Sequence, residues 1–502
     1  MKKKNSTFLE GGISLPSSFK KIINTELTDF DEKSVVRIFK IFSCVALLVV
    51  LYAFVFSGFQ IVDEFEHLHA SWLVSIGQVP YRDFFEHHNP LLWYISAPIV
   101  SLFYDNAIIF YVMRGVSFCV SLLTMFFIYK TALFFTSRMG AWFAIVLTFG
   151  NIITIYNFSQ FRPDNFMNCC FIIGLYYLFD YLRKKQLKLL IFSFLGFTFS
   201  ALFLQKISLL LIAVEVILLY LLFCKKISFK HITLAALPAI FIAFGFIFFL
   251  LLNNTLPQYF ELNLHFNQAM LAYFDRGAFW LGNLFISFYG LVLIYGVYAF
   301  RKQNLYFKIT FLLFTAELLM RNFYFAPHPN YYTLLVMFTA LVFSPFITHV
   351  FPKHKIISLI LIVLVFLNLG LLFNTVDATS VKHNSLKHYL LADYVHKNST
   401  ADDYLMNGYD KNFNIYRKDV SYYWFGLDML LPIMEAEYNI SQKPDVNQFI
   451  IKYRPKFIYV QNYPDLRAYR SYGESRYSQV FIPELVWELY QKTPFENLAV
   501  LK

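Results

Sequence analysis

The sequence has little charge for its length. Asp, Glu, Lys and Arg make up 15% of its 502 residues, whereas about 25% is usual in soluble domains. A soluble chain of this length would fold as several domains with polar surfaces, and this chain lacks the charge to cover them. With 58% hydrophobic residues, the composition excludes a soluble enzyme, a disordered chain and a fibrous repeat. It indicates a polytopic α-helical membrane protein.

Cysteine is also scarce, and its placement excludes two kinds of site. The five cysteines all lie in apolar stretches, and no C-x-x-C pair occurs. We therefore expect neither a disulfide framework nor a cysteine metal site, and we expect the thiols to be buried as small apolar side chains. The sequence has no G-x-G-x-x-G segment and no Walker A motif either, which argues against an ATP-driven transporter.

Long apolar stretches predict eleven membrane-spanning helices, since a span needs about 20 mainly apolar residues. The stretches are 38–58, 107–129, 140–159, 164–182, 188–205, 207–224, 232–252, 278–300, 306–323, 331–350 and 356–374. A further stretch, 90–104, is shorter and contains Pro98. We interpret it as a helix at the membrane interface, with a twelfth span as the alternative.

The basic residues predict the orientation, because Lys and Arg near spans remain on the cytoplasmic side. With the N-terminus inside, nineteen basic residues lie in inner segments and five in outer loops before residue 375. The net charge of +11 is therefore a topology signal, and we expect no nucleic-acid partner. The predicted parts are a cytoplasmic segment 1–37, a transmembrane domain 38–374 with its first outer loop at 59–106, and an extracytoplasmic domain 375–502.

The first outer loop is rich in acid and histidine. From Asp63 the apolar residues recur at helical spacing, and Asp63, Glu66 and His67 share another face at i, i+3 and i+4. This pattern predicts a helix lying flat on the bilayer with its carboxylates toward water or a cavity. The alternative is a solvated polar face without a function.

The second outer loop, 159–165, is short and contains Arg162 and Asp164. An Asp at a helix start can cap backbone N–H groups, and this is the plain alternative for Asp164. Arg162 and Lys206 are among the few outer cations. They either snorkel to the interface or hold an anionic headgroup. Glu317 and Arg321, at i and i+4 within a span, are either a structural pair or part of a site.

The segment 375–502 has the pattern of a small α/β fold. Strands are predicted within 402–408, 455–460 and 497–502, and helices within 446–453 and 481–490. Because the transmembrane part has an odd number of predicted spans, this segment is expected outside the cell.

Three segments carry a family resemblance. DEFEH at 63–67 with GQVPYRDFFEHHNPLL at 77–92 resembles the first outer loop of GT-C membrane glycosyltransferases, in the branch related to protein O-mannosyltransferases and the lipid A aminoarabinose transferase. The RPD turn at 162–164 resembles the family's second acidic loop, and APHPNYY at 326–332 resembles its late outer segment. The layout of the whole chain, including an outer C-terminal α/β domain, is similar to this family.

The resemblance implies an activity and its residues. It implies transfer of a sugar from a polyprenyl-phosphate donor to an extracytoplasmic glycan, lipid or protein acceptor, in the cytoplasmic (inner) membrane. Asp63 would be the catalytic carboxylate and Asp164 its partner. Some relatives have a Lys or another basic residue where this chain has His87 and His88. The candidate substrate-binding residues are Glu64, Glu86, His87, His88, Arg162, Lys206, Arg321, His328 and Tyr331.

Elementary chemistry agrees with this assignment. Glycosyl transfer from a lipid phosphate needs a base at the acceptor hydroxyl and cations at the departing phosphate. Arg162 and Lys206, with Arg321 or Arg276, are the candidates for that phosphate, and a single displacement predicts inversion at the anomeric carbon. No cofactor is required because the donor carries the energy, and a divalent metal is left open.

Two other functions remain as alternatives. A polysaccharide polymerase or ligase also acts on lipid-linked glycans, but such enzymes rely on outer arginines, which are scarce here. A secondary transporter or flippase would have inverted repeats and broken helices at mid-membrane, and the sequence has no convincing pairing of halves. A membrane scaffold without catalysis would leave the acid-rich first loop unexplained.

Overall fold

The computed structural model of the protein describes most of the chain, and all helices, strands and contacts given below lie within these residues. They are residues 31–58, 61–269, 282–323, 329–350, 355–382, 384–406, 413–422, 424, 446–459, 483–495 and 497–502.

The described chain is mostly helical. The helices are α1 Glu32–Phe56, α2 Ile61–Ser75, α3 Leu91–Leu102, α4 Ile109–Ala132, α5 Arg138–Phe149, α6 Ile152–Ser159, α7 Pro163–Lys184, α8 Leu187–Phe203, α9 Ser208–Phe223, α10 Phe229–Leu252, α11 Leu256–Phe260, α12 Gly282–Phe300, α13 Leu305–Phe323, α14 Thr333–Val350, α15 Lys355–Lys382, α16 Ser385–Lys397, α17 Val446–Tyr453 and α18 Pro483–Leu489. One apolar core joins the helices of the bundle, from Val35 in α1 to Val376 in α15.

Every predicted span falls on a helix or a pair of helices, but fewer of them meet the criteria for crossing a membrane. Within the described ranges, four helices are long and apolar enough: Glu32–Phe56, Ile109–Ala132, Gln205–Phe223 and Phe229–Leu252. A bent pair would be a fifth. The total of eleven spans therefore stays a prediction.

The predicted span 140–159 is not one straight helix. It consists of α5 and α6, which meet at an angle of 76°. Gly150 ends α5, and the side chain of Asn151 caps α6 by accepting a hydrogen bond from the N–H of Ile153 at 2.9 Å. The cap explains the break. Asn151 is a polar residue inside an apolar stretch, and its side chain starts α6 at a point where α5 could otherwise have continued.

The helix predicted from Asp63 exists as α2, but its surroundings differ from the prediction. It packs against α3, and its residues from Glu64 to Val74 are all buried. Glu66 and His67 of the polar face are therefore covered by protein, whereas Asp63 is partly exposed. The stretch 90–104 forms the 12-residue helix α3, which is too short to span a membrane on its own.

The chain after residue 375 contains a five-stranded sheet. Its strands are β1 Tyr404–Met406, β2 Lys418–Asp419, β3 Phe457–Tyr459, β4 Tyr490–Lys492 and β5 Leu498–Leu501. Their order is β2-β1-β3-β5-β4, with β1 parallel to β2 and β3, and β5 antiparallel to β3 and β4. The three predicted strands and two predicted helices are present. Its status as a separate extracytoplasmic domain stays a prediction, since α15 continues across the predicted boundary to Lys382.

This sheet region contacts the first outer loop through buried polar groups. The hydroxyl of Tyr416 lies within 3.0 Å of the carbonyls of Val100 and Phe103. His69 in α2 contacts the carboxylate of Asp419 at 2.5 Å. Hence the segment after residue 375 helps to fix the position of α2.

The cysteines are all free. Cys169 is buried and Cys170 half-buried, but Cys44 and Cys119 are exposed on helices, and Cys224 is exposed directly after α9. The expectation that all five thiols are buried is therefore wrong. In a membrane bundle, the outward face of a helix is apolar as well as its inward face. An apolar sequence pattern therefore does not show whether a cysteine is buried between helices or exposed on the outside.

Helices α7 and α8 approach closely through two glycines. A Cβ atom placed on Gly196 would lie 2.8 Å from the backbone of Gly174, and one placed on Gly174 would lie 2.8 Å from the ring of Phe197. Small residues let helix backbones come together in a membrane. This contact holds α7 in place, and the residues before its first turn carry part of the candidate site.

A Gly196→Ala variant is expected to lose about 1–3 kcal/mol of stability, because the added methyl group forces the two helices apart. Unfolding in mixed detergent micelles measures the loss. Gly245→Ala in α10 is the matched control, because no atom lies within 4 Å of a Cβ there. Equal stability of the two variants would show that the α7–α8 contact tolerates the methyl group.

Candidate functional site

Two acids that are far apart in sequence meet at one arginine. Asp63 lies in the first turn of α2, and Arg162 immediately precedes α7. The guanidinium of Arg162 donates to the carboxylate of Asp63, and its Nε lies 3.5 Å from Oδ2 of Asp164. Burial favours the neutral form of Arg162, but Asp63 and Asp164 outweigh it and raise the pKa of Arg162 above its usual value. The guanidinium therefore stays charged.

The two carboxylates differ in accessibility. The Asp63 side chain is 28% exposed, whereas that of Asp164 is 2% exposed. Helix α7 begins at Pro163 and has no side-chain cap. The carboxylate of Asp164 forms an ion pair with Lys206 instead. Asp164 therefore does not cap the start of α7.

Further cations surround this pair. The Nζ of Lys206 lies 4.1 Å from the centre of the Tyr331 ring, and the guanidinium of Arg321 lies 5.9 Å from the same ring. Arg321 donates to Glu317 from Nε at 2.7 Å and forms an ion pair with it through Nη2 at 2.5 Å. The structure thus brings Lys206, Arg321 and Tyr331 to one place, where Lys206 is paired with Asp164 and Arg321 with Glu317.

Glu64 has a different environment from its neighbour Asp63. It is fully buried, and its carboxylate accepts two hydrogen bonds from Arg114, at 2.9 and 2.5 Å, and one from the N–H of Phe161 at 2.8 Å. Arg114 also donates to the carbonyls of Phe54 and Ser57. These bonds connect the carboxylate of Glu64 to α4 and to the 160–164 turn, and its role in substrate binding stays a prediction.

Glu86, His87 and His88 form a second cluster with Glu66. Each offers one ligand atom, and these four atoms lie within 4.8 Å of one another. Nδ1 of His88 lies 3.5 Å from Oε1 of Glu66 and 3.5 Å from Oε2 of Glu86. Glu66 is one helical turn from Asp63, so this cluster borders the first.

Burial changes the protonation of the second cluster. It raises the pKa of Glu66 to about 8. Burial and the Glu66 charge raise the pKa of Glu86 well above its usual value. The pKa of His87 falls to about 3 and that of His88 to about 4, chiefly through burial. Both imidazoles are therefore neutral at pH 7 and have a free lone pair.

Most of the predicted site residues therefore lie in two adjoining clusters, whereas His328 and Arg276 fall outside the described residues. Two residues were missed as site members. The i+3 spacing had placed Glu66 on the same helix face as Asp63, but Glu66 was not among the candidate site residues. Arg114, inside a predicted span, carried the signal of any buried charge in a membrane segment.

A cavity of about 680 Å³ lies at the other end of α2. It is bounded by Trp72 of α2, by Ile76 directly after that helix, and by Tyr404, Lys418 and Tyr422 of the sheet region. The acids at the start of α2 do not line it.

Comparison with known proteins supports one activity class. Residues 87–253, about a third of the chain, match the family model described as dolichyl-phosphate-mannose-protein mannosyltransferase. The matched segment contains Arg162, Asp164 and Lys206 but not Asp63. Among curated proteins, none matches the chain. The match indicates a glycosyltransferase, and together with the apolar helices it indicates a multi-pass membrane protein.

Proposed function

We propose that the protein transfers a sugar from a polyprenyl-phosphate carrier to an acceptor on the extracytoplasmic side, with Asp63 as the base. The observation that carries this proposal is the contact of Asp63 and Asp164 with the same charged Arg162. The family match supports the reaction class, and the cluster contains a carboxylate and cations, which are the kinds of group that such a reaction uses.

In the proposed step, the acceptor hydroxyl attacks the anomeric carbon of the donor sugar. Its proton passes to the carboxylate of Asp63, which is the more exposed of the two acids. The bond between the anomeric carbon and the phosphate oxygen breaks, and the electron pair leaves with polyprenyl phosphate. A single displacement of this kind inverts the anomeric configuration.

The cations would stabilise the negative charge that develops on the phosphate. Arg162, Lys206 and Arg321 are the candidates, and the buried carboxylate of Asp164 holds the first two in place. Asp164 is thus assigned a positioning role. Such preorganised charges act strongly because they need no rearrangement when the phosphate departs.

Release of polyprenyl phosphate tests the proposal without knowledge of the acceptor's identity. The purified full chain, in liposomes containing a panel of polyprenyl-phosphate hexoses and pentoses, is incubated with a membrane extract as acceptor source. Time-dependent formation of free polyprenyl phosphate from at least one donor is expected. A protein that moves these lipids between leaflets without cleaving them would be a flippase, and that outcome would refute the proposal.

A Lys206→Met variant is expected to bind the phosphate of the donor about 10- to 100-fold more weakly, the equivalent of a lost hydrogen bond to a charged group. The Michaelis constant for the donor measures this change. Lys302→Met is the control, because Lys302 also lies over a tyrosine ring, at 4.3 Å from Tyr298, but lies in an exposed turn. An unchanged Michaelis constant in the Lys206 variant would remove this lysine from the phosphate site.

A further inference from the structure

The cluster of Glu66, Glu86, His87 and His88 is built from two separate parts of the chain. Glu66 comes from the middle of α2, and the other three are consecutive residues of the loop before α3. Glu66 and Glu86 are 2% and 1% exposed, and His87 is 9% exposed. The side chains therefore meet in an enclosed space.

Each of the four side chains has a buried polar atom without a hydrogen-bond partner. These atoms are Oε1 of Glu66, Oε1 of Glu86, Nδ1 of His87 and Nδ1 of His88. One such atom costs about 1–3 kcal/mol when it is buried alone, and four in contact are rare in a folded protein. A group that accepts lone pairs from all four would satisfy them together.

The two carboxyl groups of the cluster have no permanently charged side chain as an ion-pair partner in the described part of the chain. No Lys or Arg among the described residues forms an ion pair with Glu66 or Glu86, and the imidazole of His88 lies 3.5 Å from both carboxylates. Two buried carboxylates in contact need either a shared proton or a cation between them. The two imidazoles beside them each have a buried Nδ1 without a hydrogen-bond partner, and such a nitrogen can ligate a metal cation.

We propose that these four residues bind one divalent transition-metal ion of the zinc type. Two imidazole nitrogens and two carboxylate oxygens are a donor set that zinc accepts in tetrahedral geometry. Magnesium and calcium prefer oxygen ligands, and magnesium retains several waters. The histidines and the enclosed space therefore favour zinc over both.

Four protein ligands make a closed site, which is the arrangement of structural metal sites. The ion would fasten the Glu86–His88 loop to α2, one helical turn from Asp63. It would thereby position the first outer loop, and its binding does not depend on the sugar or the acceptor. The inference stands apart from the proposed transfer reaction for this reason.

Elemental analysis of the full chain, purified without a histidine tag or chelator, tests the site. About one zinc equivalent per chain is expected. After stripping with a chelator, titration with Zn²⁺ alone should restore one equivalent and raise the unfolding temperature. A Glu66→Gln variant keeps the size of the side chain and is expected to bind Zn²⁺ at least about 100-fold more weakly, with a smaller thermal shift.

His396→Gln is the matched control, because His396 is also buried with both ring nitrogens unpartnered but lies in α16, remote from the cluster. It should retain the metal. The unfolding temperature of each stripped variant shows whether the substitution itself disturbs the fold. If the wild-type chain contains no metal and binds Zn²⁺ no more tightly than Glu66→Gln, the proposal is overturned and the two carboxyl groups share a proton.

Discussion

An Asp63→Asn variant is expected to fold normally and to transfer sugar about 10²- to 10⁴-fold more slowly than the wild type, the range for loss of a general base. The asparagine side chain has nearly the same shape and can still accept a hydrogen bond from Arg162, but it cannot take up the acceptor proton. The loss should appear in kcat, with a smaller change in the Michaelis constant for the donor. Initial rates of polyprenyl phosphate release at saturating donor measure it.

Asp83→Asn is the matched control for this variant. Asp83 lies in the same outer loop, and its Oδ2 accepts a hydrogen bond from the N–H of Val79 at 2.7 Å, which an asparagine oxygen can also do. It has no contact with Arg162, so transfer should remain near the wild-type rate. Full activity of Asp63→Asn would show that another group takes the proton and that Asp63 serves only to hold Arg162.

The sequence was a good guide to the helices because their signal is local. Each long apolar run coincides with helical structure, although the run 140–159 forms two helices. The residue that separates them, Asn151, was visible in the sequence but was not used. Asp63 and Asp164 could also be predicted as candidate site residues from the sequence, since both lie next to the ends of apolar runs. Their meeting at Arg162 agrees with the expected orientation of those loops, although the catalytic roles stay predictions.

The partners of the buried charges could not be predicted, because they depend on contacts over long sequence separations. Arg114 and Glu64 are 50 residues apart, and nothing in either local pattern points to the other. The same holds for the burial of α2. From the sequence, the polar face of this helix is predicted to be exposed. In the structure, the loop from Glu86 to His88 and the sheet region with Asp419 pack against the helix. Local amphipathicity indicates a face but not what lies against it.

Glu64, the residue next to Asp63, is expected to have a large effect on stability. A Glu64→Gln variant is expected to lose about 3–5 kcal/mol of folding free energy, the usual cost of removing one partner from a buried ion pair. The side chains of Glu64 and Arg114 are both 0% exposed, so water cannot replace the lost charge. Unfolding by a denaturing detergent measures the loss, and Asp63→Asn is the control because its 28% exposed side chain leaves Arg162 paired with Asp164.

A double variant separates the charge from the packing. In Glu64→Gln/Arg114→Met the unpaired guanidinium is gone, and part of the stability should return, since an apolar pair often replaces a buried ion pair at little cost. Recovery should be incomplete because the carbonyls of Phe54 and Ser57 lose their donor. If Glu64→Gln is instead as stable as Asp63→Asn, the ion pair does not hold the start of α2 to α4. The position of Asp63 would then depend on Arg162 and on the loop that contains His88.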